Sequence, residues 1–126
     1  MSEQTIKSYR YLRVWQDAMS LAESCYRLTR AFPKEEMFGL TSQIRRAAAS
    51  VPANIAEGHG RENTRSFVQY LRIAQGSLKE VETHLLLAER VGIAKQSEID
   101  APMKQCAVLG KMLRALIRTL QQKGEE

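Results

Sequence analysis

From Phe67 to Ala88 an apolar residue returns every three or four positions without a break: Phe67, Leu71, Ala74, Leu78, Val81, Leu85 and Ala88. That step matches the 3.6-residue turn of an α-helix, so the segment is an amphipathic helix with one buried face. Three other segments share it. Val14, Ala18, Leu21, Cys25, Leu28 and Phe32 mark the first, and Leu40, Ile44, Ala47, Ala48, Val51 and Ile55 the second. Ile99, Met103, Cys106, Leu109, Leu113, Leu116, Ile117 and Leu120 mark the last. The alternation of a half-buried strand occurs nowhere. Helices of roughly 20 to 28 residues with short connections predict an all-α, antiparallel up-down-up-down four-helix bundle. The 126 residues suffice for one domain, 1–126, with a core that needs no disulfide.

Local punctuation sharpens the boundaries. Pro33 should end the first helix, because a residue before proline is pushed out of the α region. The turn Pro33–Gly39 should hold a short helical piece, with Glu35 and Glu36 near its positive end. Pro52 falls inside the second segment and costs a helix interior about 3 kcal/mol. It predicts a second helix kinked near Pro52 and held by tertiary packing, the alternative being two short helices broken near Val51. Gly58 and Gly60 offer a C-terminal stop for this helix. Asn63 or Thr64 is a plausible cap for the third helix, and Gly92 its end. Gly76, within that helix, costs about 1 kcal/mol relative to Ala, which predicts a second helix close by. Ser97-Glu98-Ile99-Asp100 has capping-box spacing, although Pro102 would also suit a helix starting at Asp100. The last helix should run to about Gln122, leaving residues 1–8 and 123–126 as mobile ends.

Reactive chemistry finds little to work with. The two histidines, His59 and His84, do not form the inward Glu-x-x-His pairs of a di-metal bundle, since Glu80–His84 is spaced by four and Glu57–His59 by two. No nucleophile–base constellation is evident either. The expectation is a protein that is not an enzyme and holds no cofactor or metal. Cys25 and Cys106 both lie on apolar lines and are expected to be buried free thiols. No apolar run follows Met1, which excludes a signal peptide and a membrane span and gives a cytoplasmic expectation.

What remains is surface. A second apolar line on the first helix, Trp15, Met19, Ala22, Tyr26 and Thr29, makes its stripe wider than one packed seam requires. The net charge of +5 leaves a polyanion partner open. In the last helix Lys104, Lys111, Arg114, Arg118 and Lys123 stand in a stretch with no acid between Ala101 and Gly124. Lys104, Lys111 and Arg118 recur every seven residues, about 10.5 Å apart on one face. Such a row is either a solvated face or a phosphate-binding ridge, which Lys7, Arg10 and Arg13 could extend. Asn54 falls among apolar positions, and Glu57, Arg61 and Glu80 are candidates to join it in a polar network. Arg45 and Arg46 offer planar forked donors, for phosphate or for acids such as Glu80 or Glu82 across a subunit contact.

The strings FPKEEMFGLTSQIRRAAASVPANIAEGHGR and FVQYLRIAQGSLKEVETHLLLAERVG resemble the bacterial four-helix-bundle proteins associated with intervening sequences in large-subunit ribosomal RNA genes. The resemblance is close from Val14 to Gly92 and holds for the last helix by pattern. It implies a homo-oligomeric bundle, typically of five subunits. It also implies a shared but unassigned role for Arg45, Arg46, Asn54, Glu57, Gly58, Arg61, Gly76, Ser77 and Glu80. The fold is also similar to accessory proteins of diversity-generating retroelements, which are basic pentameric bundles that associate with a reverse transcriptase and with nucleic acid. The leading expectation is therefore an oligomer that binds RNA or a ribonucleoprotein through a repeated basic surface. The competing one is a protein-interaction scaffold serving a nucleic-acid enzyme.

Overall fold

A computed structural model describes residues 8–125; of the mobile ends expected at 1–8 and 123–126, residues 1–7 and 126 lie outside the described residues. Four helices account for most of the described chain: α1 (Arg13–Thr29), α2 (Leu40–Gly60), α3 (Thr64–Arg90) and α4 (Gln96–Glu125). Short 3-10 turns sit at Tyr9–Tyr11 and Lys34–Glu36, and no strand occurs among the described residues. Each helix packs on the next and α1 returns to α4, while neither diagonal pair comes as close. The result is the expected four-helix bundle with a hollow-square cross-section. One core fills it, with Leu21, Ile44, Ile55, Leu71, Leu85 and Leu113 fully buried.

The helix ends follow from identifiable groups. α1 stops at Thr29, four residues before Pro33, and Phe32 still packs on the core. In the Lys34–Glu36 turn, the Glu36 Oε1 accepts from the Leu40 N–H at 3.0 Å, so an acid satisfies a donor at the positive end of α2. Asn63 caps α3 by accepting from the Ser66 N–H at 2.9 Å. Gly92 follows α3 with φ of 81°, the left-handed conformation that glycine adopts without steric cost.

Several expectations need correction. α2 is continuous through Pro52, so two helices broken near Val51 do not form. Buried packing on both sides of the proline holds the helix together despite the lost bond. Gly58 is not a stop but a buried contact point. A Cβ there would sit 2.6 Å from the Cβ of Tyr70 and 3.1 Å from the Phe67 ring. The chain reverses instead at Glu62, whose φ is 62°. The Gly76 expectation also fails, because a Cβ at that position would meet nothing within 4 Å. α4 begins at Gln96, upstream of both Ser97 and Asp100. Its start is fixed by Glu98, whose Oε1 accepts from the Lys95 N–H at 2.7 Å, half of a capping box without the usual hydroxyl. Pro102 thus lies in the second turn of α4, and the helix continues past Gln122 to Glu125.

Cys25 and Cys106 are free and buried, and removal from water pushes both thiols up to about 12. The neutral thiol is the form the core accepts. The thiols should therefore resist alkylation at about pH 8 until the protein unfolds. Stability linked to them should be full below the ordinary thiol value of 9.0 and decline from there towards 12. Rapid labelling of the native protein would contradict this burial. At the α2–α3 crossing, Gly58→Ala should destabilise by about 1–3 kcal/mol through overpacking. Gly60→Ala, with nothing within 4 Å of the added carbon, should not destabilise. Urea denaturation at fixed protein concentration measures both.

Candidate nucleic-acid interface

The motif residues on α2 separate into three local arrangements. Arg45 turns towards α1: its Nε donates to Thr29 Oγ1 at 2.8 Å and its Nη2 to the Tyr26 carbonyl at 3.5 Å. The guanidinium also lies over the Tyr26 ring, 4.6 Å from its centre. Thr29 Oγ1 in turn donates to the Cys25 carbonyl at 2.8 Å. A cation thus serves the last turn of α1, where the helix dipole is negative. Arg46, the next residue, is exposed. The two arginines of the pair therefore do different things.

Asn54 lies on the α3 side of α2. Its Nδ2 donates to the Ser50 carbonyl at 2.8 Å and to Ser50 Oγ at 2.9 Å. Ser50 Oγ then shares a 2.8 Å hydrogen bond with Ser77 of α3. The network expected around Asn54 is therefore made with two serines rather than with Glu57, Arg61 and Glu80. Glu57 and Arg61 form an exposed set of their own. Arg61 Nη2 donates to Glu57 Oε2 at 3.1 Å and to Tyr70 Oη at 2.7 Å. Glu80 is exposed on α3, and Glu82 accepts from Lys79 Nζ at 3.0 Å. Neither acid meets Arg45 or Arg46 within the subunit.

The basic residues of α4 divide in a way that seven-residue spacing only partly shows. Lys104, Lys111 and Arg118 share one exposed line. At Lys104 this line borders α1, beside Asp17 and Ser20. Arg114 lies about 80° around the helix from Lys104 at 100° per residue. There it faces α3 across a groove of about 390 Å³ that also holds Arg72, Gly76, Lys79 and Gly110. Sequence reasoning misses Arg72 and Lys79, although they stand seven residues apart in a stretch of α3 with no acid between Glu62 and Glu80. Their position beside the acid-free stretch of α4 is tertiary information. Lys7 lies outside the described residues. Arg13 pairs with Asp17 at 3.4 Å, and Arg10 lies over the Tyr9 ring, 5.7 Å from its centre.

Across the bundle, α1 and α2 enclose a different surface. An apolar groove of about 640 Å³ runs between Trp15, Met19, Ala22 and Tyr26 on α1 and Ala49, Pro52, Ala53 and Ala56 on α2. Tyr26 is 41% and Met19 36% exposed, so these two residues of the second apolar line of α1 lie outside the subunit's own core, whereas Trp15 and Ala22 pack against it and Thr29 is buried. Among the described residues no group of three His, Cys, Asp or Glu could hold a metal ion. No described helix is long and apolar enough to cross a membrane.

Residues 10–115 match the family described as 23S rRNA-intervening sequence protein. The chain belongs to that family. The match carries through most of α4, beyond the Val14–Gly92 stretch where the resemblance is closest in sequence. A solved structure from the S23 ribosomal protein family, a Bacteroides thetaiotaomicron VPI-5482 protein described as of unknown function, is similar at a TM-score of 0.74 and 22% identity. The alignment covers 82% of this chain and 97% of that one, and at this identity it speaks for the fold. No curated protein matches the sequence significantly.

The split roles of the family's arginine pair can be measured. Arg45→Ala should destabilise by about 1–2 kcal/mol, since it removes a cation bonded to the end of α1. Arg46→Ala should stay within about 0.5 kcal/mol, as exposed substitutions usually do. Equal effects would show that Arg45 is not structural in this way.

Proposed function

We propose that this protein is a non-enzymatic homo-oligomer that binds RNA or a ribonucleoprotein through a basic surface repeated in each subunit. The observation that carries the reading is α4: it exposes Lys104, Lys111, Arg114 and Arg118, and no acid stands between Ala101 and Gly124 to neutralise them. Helix surfaces that serve only for solubility usually mix both signs. A face of one sign over several turns instead suits a phosphate backbone.

The apolar α1–α2 groove supports the self-assembly part of this reading. Its apolar residues gain free energy by leaving water, and a second copy supplies the means. Five subunits is the number implied by the resemblance to the pentameric bundles. Each subunit's patch engages only a few phosphates and is weak alone. Copies held in one assembly raise the effective concentration of the next contact without any new chemistry. The family's name refers to an rRNA intervening sequence, which agrees with an RNA partner.

The test is light scattering and RNA binding with the full-length protein and a fluorescently labelled structured RNA. The mass should be a multiple of 14.3 kDa, and affinity should fall steeply between low and physiological salt. Lys111→Glu with Arg118→Glu should weaken binding at least about tenfold. A monomer in dilute solution would remove the oligomer. Affinity indifferent to salt and to charge reversal would remove the α4 surface, and a specific protein recovered in place of RNA would favour the scaffold reading.

A further inference from the structure

Gly76 is the least explained residue of α3. Glycine in a helix interior costs about 1 kcal/mol relative to Ala, yet the bundle gives no packing reason for it, since a Cβ would meet nothing within 4 Å. The groove beside it is basic on both walls. Arg72 and Lys79 stand one turn before and one turn after Gly76 on α3, and Arg114 stands opposite on α4. The Arg114 guanidinium folds back over Gly110, with Nη1 3.7 Å from where a Cβ on that residue would lie. Two glycines therefore leave the floor of the groove low while three cations rise around it. No acid lines the groove; on α3, Glu82 is held by Lys79 at 3.0 Å and Glu80 is exposed one turn beyond Gly76.

We infer that the α3–α4 groove is a phosphodiester-binding site, in which Arg72 and Arg114 clamp a nucleic-acid backbone that comes down against Gly76. The inference rests on the RNA-binding reading above and specifies its contact. Guanidinium groups offer paired donors that match phosphate oxygens. A missing Cβ lets the sugar-phosphate chain approach the helix backbone closely, a use of glycine seen wherever a ligand must come near the main chain. The outward row of Lys104, Lys111 and Arg118 then supplies long-range attraction, while the groove supplies the seat.

The experiment compares four full-length proteins by fluorescence anisotropy: wild type, Arg72→Gln with Arg114→Gln, Gly76→Ala, and Lys104→Gln with Lys111→Gln and Arg118→Gln. The probes are a labelled RNA hairpin and a DNA duplex of the same stem sequence, and each protein's mass and Tm are recorded. The arginine pair variant should lose at least about tenfold in affinity at unchanged mass. Gly76→Ala should raise Tm by a few degrees yet bind several-fold more weakly, opposite changes that a merely structural glycine would not give. The same loss on RNA alone or on both probes supports a backbone contact and tells which nucleic acid supplies it. If only the row variant loses affinity, the groove is overturned while RNA binding stands. If Gly76→Ala alters the mass, the glycine serves a subunit contact and the site is overturned. A wild type that binds neither probe overturns both the function and the site.

Discussion

The close approach of α2 to α3 governs most of what this bundle can be. Along the contact α2 presents Ala47, Ser50, Val51, Asn54 and Gly58, all small or slender, and at Gly58 the Tyr70 Cβ and the Phe67 ring leave no room for a methyl group. Where helices are this near, polar groups between them cannot be left to water, and the Asn54–Ser50–Ser77 chain satisfies them. The serine–serine bond joins the middle of one helix to the middle of the next. It therefore fixes their relative slide as well as their distance.

The same economy of side chains shapes the outside. α2 carries alanines on its solvent side as well as in its core, so it cannot fill the space beside the large residues of α1. A shallow apolar trough results at Trp15, Met19 and Tyr26, with Pro52 in its wall. Arg45 sets one edge of this region by binding the end of α1 and stacking on Tyr26. A residue that reads in sequence as half of a pair meant for phosphate or for acids across a subunit contact is thus occupied in joining two helices. Its exposed neighbour Arg46 retains the freedom to meet a partner.

Legibility in the sequence followed the range of the interaction. Helix faces, the stop before Pro33, the Asn63 cap and the Gly92 turn all depend on neighbours within a few residues, and each was readable. Gly58 was misread because a glycine near a helix end has a local meaning, and only the placement of Phe67 and Tyr70 reveals the other. The start of α4 was missed because Lys95 carries no capping side chain, and its partner Glu98 was counted in a different frame. Arg114 was grouped with Lys111 and Arg118 by composition, although a helix turns it towards α3. Arg72 and Lys79 share an acid-free stretch of α3, but only the packing of α4 beside them turns two spaced cations into a groove.

The order of helices around the square has one more consequence. With each helix contacting its sequence neighbours and α1 closing on α4, the α1–α2 seam lies on the opposite side from the α3–α4 seam. The first seam bears the apolar trough and the second the basic groove. Burying hydrocarbon favours association, while bringing several cationic subunits together opposes it through like-charge repulsion. Placing the two surfaces back to back reduces that conflict. An assembly that covers the troughs leaves the grooves facing out and separated by the width of a bundle. In the assembly proposed above, each added copy would carry its own basic groove to the outer rim, with Glu23, Arg27 and Arg30 left beside the covered trough.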